Sequence, residues 1–295
     1  MTWFRKRTAN LICGLAAPVV LLVAVFVIIH PPIGPWYNGV AFPSVTELGP
    51  FMTATDTHPQ IVEDYVAFGA PFPTAEVEQI AKTGALPLLE LGPKHELLAN
   101  IAHGGYDKYL EGWTKALLAT GVKVGIDFGH EPNGSWYPWG CGHQTAAAYV
   151  HAWRHIHMLV GTYHVTWVWA VNQTIPGTCA ISQFWPGKRY VNWVGIDGYL
   201  RYPQSTFAAV FDPTIHQLQQ LTNHPILIAE AGAVGGPAQP ALIKNLYAGA
   251  HRTPDIIGVV YFVNKTRKGD YRPQDSPAGL LAYQLAVSDV KGNKS

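Results

Sequence analysis

Eight short runs of apolar, β-favouring residues, each separated from the next by enough chain for a helix, set the tightest limit on what this sequence can fold into. They are Asn38–Phe42, Ile61–Phe68, Leu86–Leu91, Val122–Phe128, Val165–Val171, Val191–Gly198, Pro225–Glu230 and Ile256–Val263. Most are apolar throughout, the pattern of strands covered on both faces. The intervening segments Thr74–Thr83, Tyr106–Thr120, Thr145–Tyr163, Phe207–Thr222 and Gln239–Ala250, with Pro277–Ser288 after the last run, read as helices. A strand followed by a helix, repeated over about 250 residues, predicts an α/β fold of the closed (β/α)8 TIM-barrel type rather than an open doubly wound sheet. Neither G-x-G-x-x-G nor G-x-x-x-x-G-K-[ST] follows the first run, so the phosphate loop of a nucleotide-binding sheet is missing.

Composition agrees with one large core. Of 295 residues, 48% are hydrophobic and only 13% charged. The net charge of +1 supplies no field that would gather phosphates, which argues against a nucleic-acid partner. Tryptophan is abundant, at 10 residues, and an indole offers a flat face that can cover the C–H side of a sugar.

The N-terminus has a different character. Arg5, Lys6 and Arg7 precede a charge-free apolar stretch from Leu11 to Ile29, long enough to cross a bilayer as a helix. No small-x-small cleavage pattern ends that stretch, so residues 1–30 read as a cytoplasmic basic tip and an uncleaved single-pass anchor. Residues 31–35 are a Pro-rich spacer, and residues 36–290 are read as the (β/α)8 barrel domain, expected outside the cytoplasm, or secreted if the segment is cleaved. Such a compartment permits a disulfide between Cys141 and Cys179, which a barrel would carry on neighbouring rim loops. Two separate small core cysteines are the alternative.

A barrel of this kind builds its site from the loops after its strands. Two glutamates fall there: Glu131, in GHEPNGSWYPWG after the fourth run, and Glu230, at the end of PILIAE in the seventh. Ionised groups are disfavoured at the end of an apolar strand unless something faces them, so two carboxylates at one mouth fit the acid and nucleophile of glycoside hydrolysis. A rim ion pair with a nearby Lys or Arg stays open for each. His151, His155 and His157 lie close together, but no carboxylate completes a ligand set, and neither metal nor cofactor is expected. The sequons at Asn133 and Asn172 fall inside the expected cleft and read as chance matches.

GHEPNGSWYPWG resembles the acid/base motif of glycoside hydrolase family 26, in which His-Glu-x-Asn-Gly-x-Trp follows strand four. PILIAEAG resembles that family's nucleophile strand, and VNWVGIDGY its strand six. The resemblance spans most of residues 36 to 288 and implies a retaining enzyme acting on a polysaccharide or oligosaccharide: β-1,4-mannan foremost, with β-glucan and β-1,3-xylan as the family's other substrates. It implies Glu131 as acid/base and Glu230 as nucleophile, with carboxyl groups about 5 to 5.5 Å apart. His130 and Tyr199 would hold the nucleophile. Trp136 would floor the sugar beside the scissile bond, and Asn133, Trp139, Asn172 and Asp197 would line or support the site. Trp169 is assigned to the core, and Trp185 to sugar contact. The chain departs from the family at strand three, where it reads Glu90-Leu91-Gly92-Pro93-Lys94-His95, and at the end of strand eight, where the family's usual Trp is missing from Val259–Asn264. Its short loops fit a compact monomer. The competing reading is a barrel that binds polysaccharide for surface-glycan assembly or export without hydrolysing it; that reading has no use for paired carboxylates.

Overall fold

The apolar runs become eight parallel strands that close into a barrel in chain order, β1 (Tyr37–Ala41), β2 (Ile61–Ala67), β3 (Leu86–Gly92), β4 (Val124–Phe128), β5 (Val165–Asn172), β6 (Trp193–Leu200), β7 (Ile226–Ala233) and β8 (Ile256–Phe262). The computed structural model describes residues 35–292. The anchor expected at residues 1–30, and all of the spacer but its last residue, lie outside the described residues. Among the described residues no helix is long and apolar enough to cross a membrane.

Helices α1 (Leu48–Thr55), α2 (Thr74–Lys82), α3 (Leu98–Ala102), α4 (Asp107–Thr120), α5 (Ala146–Val160), α6 (Phe207–Leu221), α7 (Gln239–Arg252) and α8 (Pro277–Gly292) lie between and after the strands; α3 and α4 both follow β3, and β5 leads to β6 through 3-10 turns at Ile181–Phe184 and Lys188–Tyr190 in place of an α-helix. Their ends are chemically marked. The Thr145 and Thr206 hydroxyls accept from Ala148 N and Ala209 N to cap α5 and α6. The expected helix to Tyr163 stops instead at Val160, because Gly161 follows as the C-cap. The helices α1 and α3 were not anticipated: at eight and five residues they are too short to declare a period. The same holds for a small hairpin after β8, in which β9 (Lys265–Thr266) pairs antiparallel with β10 (Gly269–Asp270).

Strand side chains alternate between two environments. Val62, Leu89, Ile126, Trp169, Ile196 and Ile228 face outward into the shared strand and helix core. Ile61, Leu88, Val168, Ala170, Leu227 and Ala229 face inward as a separate apolar plug. Two residues further along, the inward positions turn acidic: Glu63, Glu90, Asp127 and Asp197 are all buried. Glu230 follows inward-facing Ala229 directly and would point outward in a regular strand. The β6 and β7 pairing slips between Ile196↔Ile228 and Asp197↔Glu230, a bulge that turns Glu230 into the barrel beside Asp197.

Candidate active site

The loop after β4 is shaped by two left-handed residues on either side of His130. Gly129 has φ 60° and Glu131 has φ 50°. The second is uncommon for a residue with a side chain and costs on the order of 1 kcal/mol, so surrounding contacts must impose it. Glu131 N donates to Ala170 O at 3.0 Å, continuing the β4–β5 ladder, while Gly134 N donates back to Glu131 O at 2.9 Å. Gly134 lies so close under Trp136 that a Cβ there would stand 2.3 Å from the ring.

The neighbouring loop completes the clamp. Asn133 is fully buried, its Nδ2 donating to Asn172 O and its Oδ1 accepting from Asn172 N, each at 2.9 Å. Cys141 and Cys179 are joined in a disulfide, and Cys179 N donates to Asn133 O at 2.8 Å. The two rim loops are therefore fastened through backbone, side chain and sulfur. Asn133 thus ties the loops together and does not line the cleft.

Glu131 and Glu230 open on one cavity of about 470 Å³, in the range of small-molecule sites. Tyr65, Trp136, Asn172 and Tyr199 line it with them. Both Glu131 oxygens have donors: Oε2 accepts from Trp136 Nε1, and Oε1 accepts from Asn172 Nδ2 at 2.5 Å. On Glu230, Oε2 accepts the hydroxyl of Tyr65.

Several expectations change here. The tyrosine that reaches Glu230 is Tyr65 on β2, not Tyr199, whose ring packs between Phe262 and Tyr271. Sequence reading missed Tyr65, although it lies two residues beyond Glu63 on the inward parity of its strand. His130 turns its Nδ1 to Glu90 Oε1 rather than to the nucleophile candidate. Burial drives the His130 pKa down to about 4 and pushes Glu90 well up. For both groups burial disfavours the charged form. Trp139 is fully buried, stacks on Tyr137 at 4.4 Å and donates Nε1 to His130 O at 2.8 Å, so it supports the loop and does not meet a sugar. Trp169 is core as expected, and Trp185 packs edge-on against it instead of lining the cavity. Phe262, at the end of β8, does line the cavity.

Below the two glutamates lies a layer of acids. Glu63, Glu90 and Glu230 bring oxygens within 4.8 Å of one another, near enough to share a cation. Burial, then repulsion from neighbouring carboxylates, raises Glu63, Glu90 and Asp197 well above the usual carboxylate range. Burial also lifts Glu230, to about 7, against the pull of the Tyr65 hydrogen bond. The histidine trio is dispersed: His155 Nε2 meets Asp107 Oδ1 at 2.7 Å, His157 packs on Trp167 and Tyr190, and His151 is exposed.

Comparison with known proteins agrees with this geometry. The chain is 27% identical to endoglucanase H of Acetivibrio thermocellus over 281 residues, covering 88% of this chain and 31% of that protein. It thus spans about a third of the length of that relative. Among solved structures it resembles the catalytic domain of a family 26 endo-β-1,4-mannanase from Bacillus sp. JAMB-750, with TM-score 0.66, 16% identity and coverage of 87% of this chain and 86% of that one. A modular endo-β-1,4-mannanase from Cellulomonas fimi gives TM-score 0.66 and 16% identity over 81% of this chain and 65% of that one. At such identities the likeness speaks for the barrel alone. The profile of glycosyl hydrolase family 26 matches residues 106–263, more than half of the sequence and the stretch that carries Glu131 and Glu230. By that match the chain belongs to glycosyl hydrolase family 26.

Proposed function

We propose that this protein is a retaining endo-β-glycosidase that cuts a β-1,4-mannan-like or β-glucan backbone by double displacement. The supporting observation is the pair itself: two carboxyl groups from β4 and β7 open on one cavity and are anchored by different donors. In this reading Glu131 protonates the glycosidic oxygen, and Trp136 and Asn172 stabilise the carboxylate that remains. Glu230 attacks the anomeric carbon, and Tyr65 fixes the oxygen that does not attack. Trp136, 41% exposed, presents an indole beside the reacting pair. The disulfide supports a location outside the cytoplasm.

Proton NMR of a fresh digest tests the reading: the β anomer should appear first and then mutarotate. First appearance of the α anomer, which demands a water between more widely spaced carboxylates, would overturn double displacement.

The pH profile follows from Glu230. A nucleophile must be ionised, so with its pKa near 7 the acidic limb of kcat/KM should rise as the pH passes through that value. The Tyr65 hydroxyl favours the ionised form, so Tyr65→Phe should move this limb to higher pH and lower kcat. A limb left unmoved in Tyr65→Phe would show that another group governs it.

A further inference from the structure

The cleft has a property that hydrolysis of a neutral glycan does not require. Three cationic side chains line it: Arg201, just beyond β6, and Arg267 and Lys268, which form the turn of the β9–β10 hairpin. Their positions tie them to both ends of the reacting pair. The Lys268 ammonium stands 5.9 Å from the centre of the Trp136 ring, the ring that donates to Glu131. The Arg201 guanidinium lies 5.0 Å over Tyr199, two register steps beyond the Asp197↔Glu230 pair.

None of the three is neutralised by an ion pair among the described residues. The hairpin's own acid is already committed. Asp270 accepts from Arg272 through both oxygens, at 2.9 and 2.6 Å, and Arg272 also reaches Asp275 at 2.6 Å. The hairpin is held in place over the cleft by Gly235 N to Asp270 O at 2.6 Å and Tyr271 N to Asn264 O at 2.9 Å. Its tip is therefore presented with two uncompensated positive charges. Deeper in the barrel, burial pushes Glu63 and Glu90 toward their neutral forms, so the acid layer weakens the attraction of an anion to the mouth less than its count of carboxyl groups implies.

We propose that the glycan taken by this cleft is acidic, carrying a uronic carboxylate or a sulfate or phosphate ester that Arg201, Arg267 and Lys268 bind. Guanidinium forks match such oxyanions in two-point contacts, and an ammonium adds a mobile charge beside them. The inference rests on the glycoside-hydrolase reading of the same cleft and narrows its substrate to β-linked backbones that bear negative charge.

The test separates binding from turnover by using the full chain with Glu230→Ala, which holds substrate without cleaving it. Calorimetry compares a β-linked glucuronic oligosaccharide, its carboxyl-reduced neutral form, and that neutral form after sulfation. At least one acidic ligand should bind about tenfold or more tightly than the neutral one. The preference should shrink in about 0.5 M NaCl and vanish when Arg267→Glu and Lys268→Glu are added. Arg201→Gln, a milder change at the other end of the cleft, should reduce it too. The comparison of carboxylate with sulfate names the anion. Equal or better binding of the neutral ligand, no binding of any of the three, or a preference that survives both sets of substitutions overturns the inference. Wild-type cleavage of neutral glycans without anionic preference would do so while sparing the hydrolase reading; anion-selective binding with hydrolysis indifferent to Glu131 and Glu230 would do the reverse.

Discussion

Glu230→Ala is expected to lower kcat by about 10⁴-fold or more on every glycoside, because in the proposed double displacement its carboxylate forms the glycosyl–enzyme bond. Glu131→Gln should behave differently. On polysaccharide, whose leaving group needs a proton, the loss should be about 10³-fold; on aryl glycosides with acidic phenols the first chemical step should be largely spared. The two substitutions thus carry separate kinetic signatures, which a shared structural defect would not produce. Azide offers a second check, since a small anion can enter the space left at position 230 and return a product of opposite anomeric configuration. Should both variants retain wild-type rates on polysaccharide, the assignment of this pair fails.

The second large effect concerns stability. The Cys141–Cys179 bridge closes a loop with a sequence separation of 38, for which loss of chain entropy in the unfolded state gives about 4 kcal/mol. Replacing both cysteines by serine should therefore lower the melting temperature by roughly 10 °C. Because Cys179 N donates to Asn133 O, and Cys141 N donates to Pro132 O and Gly134 O, the same change should loosen the Glu131 loop and raise KM before it lowers kcat. A melting temperature within about 3 °C of wild type would mean that the backbone bonds between the loops suffice without the sulfur link.

The barrel was legible because strands buried on both faces leave a strong trace, and because long helices carry caps such as Thr145 and Thr206. The short helices α1 and α3 and the two-residue strands of the β9–β10 hairpin leave none. Glu131 and Glu230 stood out as charges at strand ends. Glu63, Tyr65, Glu90 and Asp127 did not, although each interrupts an apolar strand on the inward parity, a signal that becomes readable once the parity is set by Ile61 and Leu88. What no pattern could supply is the partner of each group. That Tyr65 rather than Tyr199 reaches Glu230, and that His130 turns to Glu90, depends on the register between strands far apart in the chain.

The extra residue in β7 has a lesson for anyone who would rebuild this enzyme. Transplanting Glu230 onto an idealised, evenly pleated cylinder would copy the chemistry and lose the aim, since the carboxyl group would look into the helical shell. Function here depends on a counting error in the ladder, and a regularised scaffold would silently correct it.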